Sequence, residues 1–362
     1  MLEEKVTISR RARLWRWIKS HRPAVIAMIG GVLILAAAGT AYAILSQPLP
    51  KVDTTPIVVK KKAPPVKYYS LLNGIQIADQ AAEKSPVTAI MIENSPEARP
   101  QSGLNQAEVV YEAIAEGGIT RFLALYQQHK PQLIGPVRSV RPYYVDWLAP
   151  YQPSVAHVGG SAAALAEVRN GNYRDIDQFF NGAYYWRSTD RYAPHNVYTS
   201  FEKLDALNAK KGYTSSEFTS FARADGVPAK TQDATSVDVT ISSALFNSHY
   251  DYDATTNSYK RSQGGEAHLD REEGQIAPQS VVVMNVNMSL VMEDGYREAI
   301  TTSGSGQAYV FQNGTVQSVT WQKSDRASTL RLVDANGKDV SLVRGQTWIA
   351  AVPNGSGGVT WK

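Results

Sequence analysis

Cysteine is absent from the 362-residue chain. That excludes disulfides, thiolate metal sites and a cysteine nucleophile, and leaves only His and carboxylate donors for any metal. It also excludes lipid attachment through a cysteine within this sequence. An excess of positive charge is missing from most of the chain as well. Residues 1–67 carry 12 Lys and Arg against 3 Asp and Glu, so residues 68–362 carry 25 against 30, a net of −5 beneath the whole-chain +4. A net-acidic body argues against nucleic acid as a partner, because such binding rests on neutralising phosphates. No internal repeat is visible, and Gly159-Gly160-Ser161-Ala162-Ala163 lacks the G-x-S-x-G order of a nucleophile elbow.

What is present begins with a run from Ala24 to Leu45 that carries no charge. At about 1.5 Å per helical residue its length matches the roughly 30 Å hydrocarbon core of a bilayer. Arg10, Arg11, Arg13, Arg16, Lys19 and Arg22 crowd its N-terminal side, which keeps residues 1–23 cytoplasmic as a basic tail and exports the body. The expected localisation is the cell membrane, single-pass, with the C-terminal body extracytoplasmic. A cleaved signal peptide ending at Ala41-Tyr42-Ala43 is the alternative, and it also places the body outside. Residues 46–67, with five prolines and Lys60-Lys61-Lys62, read as an extended linker.

The predicted fold class is α+β: the membrane helix, a mixed α/β domain over 68–228, then a mostly antiparallel β-rich domain over 229–362. In the first domain VTAIMIEN, VVYEAIAEGGITRFLALY and PSVAHV have strand character, while SAAALAEVRN and SFEKLDALNAKK have helical spacing. Beyond Thr235 short β-rich runs recur, and QNGT and ANGK carry the Asn-Gly signal of a tight hairpin.

The hairpin from Val109 to Tyr126 places Glu112 and Glu116 on one apolar face. Along a strand they stand roughly 13 Å apart, beyond the about 5 to 9.5 Å of a glycosidase pair. Each therefore calls for a cation, and Arg99, Arg121, Arg138, Arg141, Arg187 and Arg191 are available. In GPVRSVRPYYVDWL, Ser139 as a cap and Pro142 in the first turn start a short helix. Arg138 and Arg141 then form either an anion site or simple partners for the glutamates. In AHVGGSAAALAEV a Gly-Gly turn leads His157 and Ser161 into a helix, with Ser161 either a cap or a nucleophile. Asp190, Arg191, His195 and Asn196 share a polar loop, a common lining for a site. His268 and Asp270 cannot fill a metal shell alone, so neither metal nor cofactor is expected.

The blocks RPQSGLNQAEVVYEAIAEGGITRFLALY, IGPVRSVRPYYVDW, HVGGS and APHNVYT, followed by AHLD and GQTWI, resemble the YerB-type family of Gram-positive exported proteins. This is a domain of unknown function with its own C-terminal domain. Arg99, Glu112, Glu116, Arg121, Arg138, Ser139, Arg141, His157, His195 and Asn196 match its signature positions. The resemblance implies surface tethering without an assigned activity. Familiar members are lipoproteins, and here an apolar helix stands in place of the lipobox cysteine.

The leading expectation is an anchored extracytoplasmic protein that binds an anionic cell-envelope ligand or partner in an Arg/His cleft. Arg99, Arg121, Arg138, Ser139, Arg141, His157, Arg191, His195 and Asn196 would line it, with Glu112 and Glu116 orienting the arginines. The alternatives are an envelope-polymer hydrolase with His157 or His195 as general base, and a scaffold for another envelope protein.

Overall fold

The computed structural model describes residues 9–49, 66–290 and 298–362. Two units divide the chain near Pro64. In the first, helix α1 (Arg10–Ser20) precedes α2 (Arg22–Leu45). Pro23, in the first turn of α2, has no N–H to leave unpaired, and the uncharged run that follows buries nothing within the protein. The linker expected over 46–67 falls mostly outside the described residues.

The second unit is organised by a ten-stranded sheet. Strands β1 (Thr88–Glu93), β2 (Val109–Ile114) and β3 (Thr120–Tyr126) are buried along their whole length. Their near-continuous apolar runs are what a strand covered on both faces requires. Gly117 and Gly118, at φ 59° and 76°, supply the two positive values needed for the tight turn between β2 and β3. Beyond them β4 (Ser154–Ala156) and β5 (Arg174–Asp175) extend the sheet in parallel.

The C-terminal segment contributes strands to the two largest sheets. Strands β6 (Ser236–Thr240), β7 (Ser248–Asp253), β8 (Ser258–Gln263) and β9 (Glu266–Ala267) form the smaller one. The large sheet receives β10 (Ser280–Val286), β11 (Gly304–Gln312), β12 (Thr315–Lys323), β13 (Arg331–Val333) and β14 (Thr347–Pro353), while β15 (Gly358–Trp361) returns to pair with β6. The large sheet runs β13-β12-β11-β10-β14-β2-β3-β1-β4-β5. Strand β14 lies parallel to both β10 and β2, so segments 68–228 and 229–362 share one continuous sheet. The Asn313-Gly314 turn closes the β11-β12 hairpin, as its sequence predicts.

Helices α3 (Pro142–Leu148) and α4 (Ala162–Val168) cover one face, where Trp147 stacks on Tyr111 with ring centroids 5.5 Å apart. The other face packs on α5 (Phe201–Lys211) and on the five-stranded sheet. Ser200 caps α5 by accepting from the Lys203 N–H, and Gly212 ends it at φ 76°. Alternation along β2 then sends Tyr111 to the helical face and Glu112 to the sheet-packed face.

Candidate functional site

Strand β1 ends on Glu93, a carboxylate at the close of an apolar run, and the chain turns out of the sheet immediately after it. A segment around residues 134–138 runs beside that end: the Glu93 N–H donates to the Pro136 carbonyl at 2.9 Å and the Arg138 N–H to the Met91 carbonyl at 2.8 Å. The Val137 N–H donates to the Val197 carbonyl at 2.7 Å, which brings His195 within reach. Glu93 Oε1 thus meets three groups: Arg138 Nε at 3.1 Å, His195 Nδ1 at 2.9 Å and the Ser95 hydroxyl at 3.1 Å. Glu93 is 3% exposed, so its charge needs these partners. With the Nδ1 proton directed at a carboxylate, the lone pair of neutral His195 lies on Nε2. That nitrogen has no protein partner among the described residues, and His195 lines a cleft of about 430 Å³.

Arginines dominate the cleft. Arg191 donates to the Glu97 and Pro100 carbonyls at 2.9 and 2.7 Å. Arg99 donates to Asn94 Oδ1 at 3.2 Å and to the Asn94 and Leu245 carbonyls at 3.0 Å each, with Phe246 beneath it. Burial, with the nearby Arg261 charge, lowers the Arg99 pKa. Neither guanidinium has a carboxylate within salt-bridge reach among the described residues. Arg271 does, pairing with Asp190 at 2.6 Å. Asn196 staples the rim by donating to the Ser188 and Arg191 carbonyls and accepting from Arg187 at 2.7 Å.

Beneath the cleft six buried side chains close a hydrogen-bonded ring. Arg261 donates to Glu112 Oε2 at 2.8 Å and also to His268 Nδ1. Since Arg can only donate, His268 accepts there and donates from Nε2 to Gln101 Oε1 at 3.0 Å. Gln101 donates to Asn94 Oδ1 at 3.1 Å, Asn94 to Thr120 Oγ1 at 2.6 Å, and Thr120 to Glu112 Oε1 at 3.0 Å. Arg261 donates in both directions and Glu112 accepts from both: five bonds run one way from Arg261 through His268 to Glu112, a chain in which each strengthens the next, and the direct Arg261–Glu112 bond closes the ring. Trp348 Nε1 adds a donor to Glu112 at 2.9 Å. Burial and the Arg261 charge push the His268 pKa well down, so this ring holds a neutral imidazole. Asn94 belongs to the ring and also fixes Arg99, so the cleft rests on the ring.

The remaining sequence candidates fall into separate groups. Glu116 takes Arg121 at 3.1 Å and Arg141, while Arg121 also donates to the Ser139 carbonyl at 2.9 Å. The N-cap of α3 is Arg141, not Ser139, and no side chain bonds there. Arg138 and Arg141 turn to different glutamates, so they do not form one two-armed anion site. His157 is buried with both nitrogens occupied, Nδ1 by the Gly159 carbonyl at 2.8 Å and Nε2 by Asp175 at 3.0 Å. Ser161 caps α4 by accepting from the Ala164 N–H at 3.4 Å. Glu112 serves Arg261 directly and Arg99 only through Thr120 and Asn94. Among the described residues no three His, Asp or Glu side chains converge as a metal site.

Sequence reasoning missed Glu93, Arg261, Gln101 and Asn94. The signals were a lone carboxylate ending β1 and the alternation of β8, which puts Arg261 on the buried side with Tyr259.

An apolar N-terminal helix ahead of a mixed α/β body, with a β-rich C-terminal part feeding the same sheet, matches known families along most of its length. Residues 72–214 match the N-terminal domain of a protein of unknown function, DUF3048, and 237–349 match its C-terminal domain. The chain belongs to this YerB-like family. It is 34% identical over 309 residues to the YerB protein of Bacillus subtilis (strain 168), which carries a lipoprotein name, covering 83% of this chain and 89% of that one. The crystal structure of YerB from Bacillus subtilis superposes with a TM-score of 0.72 at 29% identity, covering 81% of this chain and all of that chain.

Proposed function

We propose that this protein is held at the membrane by α2 with its body outside the cytoplasm, and that the cleft beside Glu93 binds an anionic cell-envelope ligand. The anchoring rests on the uncharged length of α2 and on the basic residues of α1 before it. The lipoprotein name of the Bacillus relative supports the same placement by a different chemistry.

The observation that carries ligand binding is the state of Arg99 and Arg191. Backbone carbonyls fix both guanidiniums in position, and among the described residues neither makes a salt bridge, although Glu97 and Asp190 line the same cleft. Such cations are preorganised, so an anion gains charge-assisted hydrogen bonds without paying to order them. Arg271, itself paired with Asp190, adds a further guanidinium on the same cleft.

The test is calorimetric titration of the full chain in detergent with inorganic phosphate, glycerol phosphate and a simple carboxylate. Saturable binding that is lost in an Arg99→Ala, Arg191→Ala double variant of unchanged fold supports the proposal. Binding unaffected by that pair of changes overturns it.

A further inference from the structure

The cleft also contains a proton-transfer arrangement that simple binding does not need. His195 lines the cleft with Nδ1 on Glu93 and with Nε2 free of any protein partner among the described residues, while Glu93 also accepts from Ser95 and lies in ion-pair reach of Arg138. A carboxylate on one ring nitrogen selects the tautomer with its lone pair on the other, and it stabilises the imidazolium formed when that lone pair takes a proton. His157, by contrast, has both nitrogens engaged and cannot act in this way. Ser95 sits 3.2 Å from the same Nδ1 that faces Glu93, so it is not placed as a nucleophile activated by Nε2.

We propose that His195 is a general base and Glu93 its positioning residue in the hydrolysis of an anionic phosphodiester. This rests on the anion-binding reading of the same cleft. The substrate class follows from the donors. A phosphodiester is charged before reaction and spreads charge over its phosphoryl oxygens during it, which suits guanidinium groups from Arg99 and Arg191. In the step, His195 Nε2 takes a proton from water as the water oxygen bonds to phosphorus. The bond from phosphorus to one alcohol oxygen breaks, and that oxygen receives the proton back from the imidazolium. One diester and one water give one alcohol and one phosphomonoester.

The experiment uses the full chain in detergent with bis(p-nitrophenyl) phosphate, following release of p-nitrophenolate, and measures phosphate binding on the same samples. The expected result is turnover that falls about 100-fold or more in His195→Gln, the range general-base catalysis supplies, while phosphate still binds. Imidazole added to His195→Ala restores part of the rate. Glu93→Gln lowers the rate and moves the acidic limb of the pH-rate profile, on which the base sheds its proton, to lower pH, because the imidazolium loses its counter-charge; a change confined to stability would leave that limb in place. Phosphate binding without turnover, or turnover undiminished in His195→Gln, overturns the catalytic inference and leaves the binding proposal standing. Absence of both binding and turnover removes both.

Discussion

Arg261 donates to Glu112 at 2.8 Å across 149 positions of sequence, and both side chains are buried. The pair joins a strand of the first segment to one of the second and completes the ring beneath the cleft. Removing one partner strands a buried charge, which costs about 3–5 kcal/mol. Arg261→Met and Glu112→Gln should each lower the free energy of unfolding by that amount in chemical denaturation, with a matching fall in Tm. The double variant should lose clearly less than the sum of the two, since neither charge is then left alone. Strictly additive losses would show that the pair is not coupled.

Acid sensitivity follows from His268. Its folded pKa lies well below the ordinary value near 6.5, so the unfolded chain binds a proton that the folded chain does not. Stability from this group is full above about pH 6.5 and declines as pH falls below it, by up to about 1.4 kcal/mol per pH unit. Between about pH 6.5 and 5, above the carboxylate range, unfolding midpoints of the wild type should drop. A His268→Gln variant should be less stable at neutral pH and show a flatter dependence across that window. Equal slopes in the two proteins would remove His268 as the cause.

Two arginines separate the cleft from the neighbouring ion-pair group. Arg191→Ala should weaken anion binding tenfold or more with little change in Tm, because its guanidinium touches only carbonyl oxygens at an exposed rim. Arg141→Ala should do the reverse: its charge already belongs to Glu116, so affinity is retained while stability falls. Loss of affinity in Arg141→Ala alone would relocate the site to that glutamate.

Gly135 lies where the segment beside β1 passes the Val197-Tyr198 stretch of the same chain. At φ 152° a Cβ there would stand 2.8 Å from both the Tyr198 ring and the Val197 carbonyl. Gly135→Ala should cost about 1–3 kcal/mol through forced backbone movement. It should also weaken anion binding, because the Arg138 and His195 placements depend on that segment. Unfolding curves and titration of one preparation check both effects together.

The missing cysteines make topology easy to measure. A Ser356→Cys variant, on an exposed turn of the body, should react with a membrane-impermeant maleimide on intact cells. Ser9→Cys should react only after permeabilisation. Labelling in the opposite order would reverse the orientation given by the basic residues before α2.

Much of the local structure was legible because it depends on local rules. The uncharged run of α2, the apolar runs of β1 to β3, the Gly117-Gly118 and Asn313-Gly314 turns and the cap alternative for Ser161 each follow from periodicity, backbone freedom or an unpaired N–H. Family membership was legible too, since ordered blocks of charged and glycine-rich residues carry it.

What the sequence by itself determined, then, was the inventory: an apolar helix, strands of known facing, and a surplus of arginines and carboxylates that had to be paired. Tertiary structure alone decided the pairing. Insertion of β14 between β10 and β2 draws the two segments into one sheet, where Glu112 meets Arg261 rather than any arginine near it in sequence. The same assembly gives Glu116 to Arg121 and Arg141, and sets Glu93 against Arg138 and His195. A charge has no sequence-local preference for one opposite charge over another; distance and burial choose, and both are fixed only when the strands have neighbours.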